Sequence, residues 1–109
     1  MGKWDTPDRD EKLDGELSLE RKRKTKKPDQ WKVLLHNDDY TTTEFVVDIL
    51  MRYFQKAHGE ATQIMLQVHH KGSGVAGIYS KDVAETKVYE VTLEARAQGM
   101  PLLVTTEKV

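Results

Sequence analysis

Two short stretches hold the residues best suited to chemistry. Asn37-Asp38-Asp39 sets three small oxygen-bearing side chains in a row, and His69-His70 follows later in the chain. Carboxylate and amide oxygens accept hydrogen bonds. A neutral imidazole adds an acceptor through its unprotonated ring nitrogen, so the set suits a cationic head such as an ammonium. By composition alone the Asn-Asp-Asp run reads first as an Asx turn, its side chains bonded to neighbouring backbone. A cation-recognising mouth is the sharper alternative. Met65 lies one turn before His69, and Val68 immediately precedes it. If all three share a face, acceptors surround an apolar hole that fits a positive head on a hydrophobic body. Ordinary core packing is the competing reading for Met65 and Val68.

Other chemistries find less support. The chain has no cysteine, which removes disulfides, thiolate metal sites and cysteine nucleophiles. His36, His58, His69 and His70 match no standard metal spacing. On a helix, adjacent histidines point about 100° apart and cannot share an ion. No GxSxG elbow occurs. Gly72-Ser73-Gly74 lacks the Lys-Ser/Thr of a phosphate loop and opens a strand, so it reads as a turn. The expectation is no catalytic residue, no metal and no cofactor: a binding protein, not an enzyme.

The elements that would position these residues are legible from periodicity. Trp31 to Asn37 is rich in apolar and β-branched residues and reads as a strand. Thr41 and Glu44 have capping-box spacing, predicting a helix start. Val46, Ile49, Leu50, Tyr53, Phe54 and Ala57 carry that helix to a stop at His58-Gly59. A second helix over 60–70 aligns Ala61, Ile64, Met65 and Val68, and Gly72-Ser73-Gly74 ends it. Val75 to Tyr79 reads as a strand. Ser80 reads as the cap of a third helix with Ala84, Val88, Val91 and Ala95 on one face. Gly99 and Pro101 close it before a last strand over 102–109. The predicted fold is α+β: a small two-layer sandwich of a three-stranded antiparallel sheet and three helices, in the order β-α-α-β-α-β.

Composition bounds the rest. The chain has 109 residues, 38% hydrophobic and 32% charged, with a net charge of −1. That is one domain at most, and as a whole no electrostatic nucleic-acid binder. No apolar stretch approaches a membrane span, and the N-terminus does not read as a secretory signal, so a cytoplasmic protein is expected. Residues 1–30 hold nine bases and eight acids, with Arg21 to Lys27 contributing six of the bases. They read as a flexible charged extension before a domain at 31–109. The basic run reads first as a solvated linker face. An acidic protein surface, then nucleic acid or anionic lipid, are its other possible contacts. Trp4, Leu13, Leu17 and Leu19 are too scattered for a helix face and could serve as short contact points. No long apolar stripe is left over, so a monomer is the default.

The domain resembles the ClpS family, adaptors that bring N-degron substrates to the Clp protease. The resemblance rests on KVLLHNDDYTTTEFVVDIL, ATQIMLQVHHKGSGVAGIYSKDVAETKVYEV and PLLVTTEKV, in order over nearly all of 31–109. It implies binding of proteins whose first residue is Leu, Phe, Tyr or Trp. Asn37, Asp38 and His69 would hold the α-amino group, Asp38 partly through water. Thr41, Thr43, Val46, Met65, Val68 and Leu102 would line the side-chain pocket. Asp82 and Lys87 would dock a ClpA-type AAA+ unfoldase through its N-terminal domain, with Tyr40 beside that surface. The alternative within the family is a docking modulator of Clp specificity without degron binding. Many members carry Met at the position of Thr43 and Pro at that of Thr42. The shorter, hydroxylated Thr43 implies altered first-residue selectivity.

Overall fold

The apolar run after Pro28 becomes the central strand of the sheet. In this computed structural model, which describes residues 28–109, β1 (Gln30–His36) is followed by α1 (Thr43–Tyr53), α2 (His58–Lys71) and β2 (Ser73–Ser80), then by α3 (Lys81–Ala97) and β3 (Leu103–Lys108). The sheet order is β2-β1-β3 with both pairings antiparallel. The α+β sandwich and its element order are as the sequence predicts. Most of the charged extension, including Trp4, the leucines and the basic run, lies outside the described residues.

Strand alternation sorts the two faces of β1. Val33 and Leu35 are fully buried against the helices. On the other face Lys32 pairs with Glu107 at 3.9 Å, and His36 Nε2 shares a 2.7 Å hydrogen bond with Thr105 Oγ1. The core joins Val33, Leu35 and Val104 of the sheet to Phe45, Val46, Ile49 and Leu50 of α1, Val68 of α2 and Val91 of α3. Burying each large aliphatic side chain contributes about 1.5–3 kcal/mol. Ala84 and Ala95 are fully buried too, and their small side chains let α3 lie close on the sheet.

Helix boundaries depart from expectation in two places. The cap of α1 is Thr42, whose Oγ1 accepts the Phe45 N–H at 3.1 Å. The predicted Thr41–Glu44 box does not form, because the Thr41 hydroxyl donates to Asp38 Oδ2 at 2.7 Å. A carboxylate is the stronger partner. The second departure is at the far end of α1, which stops at Tyr53. Nothing in Gln55-Lys56-Ala57 disfavours a helix, so the stop is tertiary. Phe54 turns into the core, Gln55 takes φ 53°, and Lys87 Nζ reaches from α3 to donate to Tyr53 O at 2.7 Å. His58-Gly59, expected to end this helix, instead opens α2. Ser80 occupies the cap position of α3 without a side-chain hydrogen bond.

Candidate functional site

The loop between β1 and α1 is held at its start by a backbone hydrogen bond and at its end by the Thr42 side-chain cap. Asn37 N–H donates to Gly72 O at 2.9 Å, tying the loop to the end of α2. Gly72 can serve there because it takes φ 94°, a left-handed conformation that closes α2 through its own N–H on Val68 O. Inside the loop Asp38 is the organiser. Its Oδ1 accepts the Tyr40 and Thr41 N–H groups at 2.8 and 2.7 Å, and its Oδ2 accepts the Thr41 hydroxyl. The Asx-turn reading thus describes what Asp38 does within the loop, while Oδ2 retains acceptor capacity. Partial burial works to raise the Asp38 carboxyl. The Thr41 hydroxyl, the Thr41 and Tyr40 N–H groups and the charge of Arg96 outweigh it and hold the group below its ordinary 3.8.

A depressed folded-state pKa stabilises the fold above the unfolded-state value, and that contribution is lost as pH falls through the folded one. Thr41→Val removes one hydrogen bond to the charged form. It is expected to cost about 1 kcal/mol in urea unfolding near neutral pH. The gap to the wild type should close once pH drops below the Asp38 value. A gap that stayed constant down to pH 2 would mean the Thr41 hydroxyl does not favour the ionised carboxylate.

Asn37, Asp38, Asp39 and Thr41 of this loop meet Thr43 and Val46 of α1 and Met65, Val68 and His69 of α2 around one hollow of about 250 Å³. The spacing of Met65, Val68 and His69 places them on one helix face. Val46 and Val68 are nearly fully buried, at 6% and 3% exposed, and form the floor. Asn37, Asp39, Thr43 and His69 are exposed at the rim. Two carboxylates, Asp38 and Asp39, border the hollow, and α2 brings its C-terminal end to it. Helix C-termini carry partial negative charge, so each of these features favours a cation at the rim.

Leu102 is not among the lining residues. It is 1% exposed in the core, where Arg96 fixes its segment through hydrogen bonds to Met100 O and Leu102 O, each at 3.0 Å. Asp82 is exposed in the first turn of α3. Lys87 is half-buried, its ammonium committed to Tyr53 O and lying 6.0 and 5.8 Å from the Phe54 and Tyr79 ring centroids. Tyr40 is 78% exposed in the loop that follows His36. Residue 30 of β1 pairs with residue 80, just ahead of α3, so Tyr40 and Asp82 stand at opposite ends of β1 and are not brought together.

Residues 26–105 match the family model described as ATP-dependent Clp protease adaptor protein ClpS. The chain belongs to the ClpS family. It is 57% identical to the ClpS adapter protein of Deinococcus radiodurans over 83% of this chain and 79% of that one. To the ClpS adapter of Desulfatibacillum aliphaticivorans it is 53% identical, over 94% of this chain and 97% of the relative. Among solved structures it resembles Agrobacterium tumefaciens ClpS2 bound to L-phenylalaninamide. The TM-score is 0.73 at 38% identity, covering 76% of this chain and all of that one. These ClpS relatives are named as adapters of an ATP-dependent Clp protease.

Proposed function

We propose that this ClpS-family chain is a non-enzymatic cytoplasmic adaptor. It binds proteins whose first residue is a bulky hydrophobe, Leu, Phe, Tyr or Trp, and delivers them to a ClpA-type unfoldase for degradation. The observation that carries the reading is the single hollow that joins an acceptor-bearing rim to an apolar floor. L-phenylalaninamide, bound by the Agrobacterium relative, combines a free α-amine with an aromatic side chain and so has both halves of the ligand the hollow suits. The α-ammonium goes to Asn37, Asp38 and His69, and the side chain passes Thr41 and Thr43 to Val46, Met65 and Val68. Leu102 supports this floor from the core. Asp82 offers an exposed docking charge at the start of α3. Lys87 acts on docking by holding α3 against the end of α1. Residues 1–30 serve as the extension of the 31–109 domain. The test is titration of labelled Phe-first and Leu-first peptides, each with a free and a blocked amine. Equal binding of the two forms would refute the reading.

Thr43 stands exposed at the mouth, where its short side chain leaves the rim open. Thr43→Met is expected to change the ranking among peptides beginning Leu, Phe, Trp, Tyr, Ile and Val by about tenfold for at least one of them, on the scale of one or two buried methylenes. Coincident affinity profiles for the two proteins would show that position 43 is not a selectivity gate.

A further inference from the structure

Arg96 stands in the last turn of α3 and is not among the residues that line the hollow. Its side chain reaches forward over the turn that follows. One nitrogen, Nη1, donates at 3.0 Å to both Met100 O and Leu102 O, the carbonyls on either side of Pro101. Backbone closes the first part of this turn. Gly99 takes φ 74°, so that its N–H and that of Met100 return to Arg96 O and Ala95 O at 3.1 and 2.8 Å. Pro101 has no N–H to continue the closure. The step from Met100 to Leu102 is held by the Arg96 side chain.

That step lies against both halves of the hollow. His36 of β1 stands opposite Leu103 of β3, so Asn37 and Asp38 leave the sheet beside Leu102 and Pro101. Leu102 is 1% exposed, in one core cluster with Val46 and Val68 of the floor. We propose that Arg96 is a positioning residue for degron binding: it braces the turn from Met100 to Leu102, fixes through Leu102 the floor on which the first side chain rests, and sets its charge behind the loop that takes the ammonium. The inference rests on the degron reading and extends it to a residue that never touches the ligand. The charge of Arg96 helps to keep Asp38 ionised. The two effects separate by pH. Near neutral pH Asp38 is ionised with or without Arg96, and only the brace is seen. In acid the charge is seen, because without it the Asp38 carboxyl protonates at a higher pH. The other ionisable groups near Asp38 are His36 at the end of β1, Asp39 and Tyr40 of its own loop and His69 of α2, all unchanged when Arg96 is replaced.

NMR titration of the full chain with Phe-first and Ala-first peptides near neutral pH tests the brace. Both peptides carry the same ammonium, so their affinity ratio isolates the floor, and a ratio taken within one protein cancels any loss of folded material. In Arg96→Met the Phe-over-Ala ratio is expected to fall about threefold or more, a fraction of the ~10-fold or more that a missing methylene is worth in a substrate pocket. Arg96→Gln, a milder change, should lower it in the same direction. Both Arg96 bonds come from one nitrogen, so an ammonium can make them, and Arg96→Lys should keep the ratio within about twofold of wild type. Carboxyl NMR of Asp38 tests the charge. Its midpoint should rise in Arg96→Met and Arg96→Gln and hold in Arg96→Lys. Arg96 is exposed, so about 0.5 M salt should narrow that difference. An unchanged ratio or an unmoved Asp38 midpoint in Arg96→Met and Arg96→Gln would overturn the proposal, as would an equal loss of the ratio in Arg96→Lys and Arg96→Met. If free and blocked Phe-first peptides bind the wild type alike, the degron reading fails and takes the proposal with it. If they differ while the ratio does not move, the proposal falls alone.

Discussion

Acetylating the α-amine of a Phe-first peptide is expected to weaken its binding to this chain at least a hundredfold. The modification removes the positive charge, leaves rim acceptors without their donor and adds bulk where the loop and the end of α2 converge. Hydrogen bonds to a charged group contribute about 1.5–3 kcal/mol each. Losing two is therefore ~3 kcal/mol or more, and every ~1.4 kcal/mol is tenfold. Burial of the Phe side chain supplies about 1.5–3 kcal/mol and survives acetylation, which is why residual binding should remain. The matching change in the protein is Asp38→Asn. Asp38→Ala would strip the Tyr40 and Thr41 N–H groups of their acceptor and disturb the loop itself. Asn keeps an oxygen for those two N–H donors and deletes the charge, its NH2 facing Thr41 Oγ1 as a donor in place of the Oδ2 acceptor. It is expected to cost the free-amine peptide about tenfold and the acetylated peptide little, on the scale of one charge-assisted bond. Loss of affinity for both peptides alike would mean that Asp38 acts only by shaping the loop.

What could be read from the chain before its structure follows the range of the interactions involved. The alternation of Val33 and Leu35 and the spacing of Ala84, Val91 and Ala95 are local patterns, and each falls in the core as its period demands. Gly72 marks the end of α2 because its left-handed conformation is a local necessity. The sequence points to Thr41 as the cap of α1, but Asp38 takes the Thr41 hydroxyl for itself and Thr42 caps the helix instead. The end of α1 could not be read locally at all. Its stop comes from Lys87, which arrives from α3 to cap Tyr53, and from Phe54 turning into the core.

The site divides the same way. Met65, Val68 and His69 are a visible helix stripe. Their meeting with Asn37 to Thr43 is set by long-range contacts, among them the Asn37 N–H to Gly72 O hydrogen bond and the register that sets His36 opposite Ser73, which no periodicity announces. The family resemblance supplied that pairing where local reading left alternatives open. Leu102, which the resemblance assigns to the pocket, is buried in the core beside the floor of the hollow, while Leu103 stays 53% exposed.

Gly74→Ala should both destabilise the domain and weaken degron binding, because β2 passes α2 with no room for a methyl group. A Cβ at position 74 would lie 2.9 Å from Val68 Cγ2, 3.5 Å from Ile64 O and 3.6 Å from Val68 N. The two backbone atoms stand at ordinary contact distance, so the conflict is with the Val68 methyl alone: the Val68 side chain must rotate or α2 must shift to carry it away. Valine in a helix strongly prefers one rotamer, which leaves mainly the helix to give way. Overpacking of this kind costs about 1–3 kcal/mol. Replacing glycine returns about 0.4–1 kcal/mol through the unfolded chain. A net loss of roughly 1–2 kcal/mol in urea unfolding is expected. The same displacement moves Val68 and its neighbours Met65 and His69, three lining residues of the hollow, so affinity for a free-amine Phe-first peptide should fall about tenfold, the scale of a substrate pocket altered by one methylene. Trimming the obstacle separates the two effects. In Gly74→Ala combined with Val68→Ala the clash is gone, so the stability cost of the second change should be smaller than in the Gly74 background, a coupling of ~0.5–1 kcal/mol or more. Strict additivity of the two substitutions, or a Gly74→Ala protein with wild-type stability and affinity, would show that the close approach of β2 does not set the position of Val68 and the floor it forms.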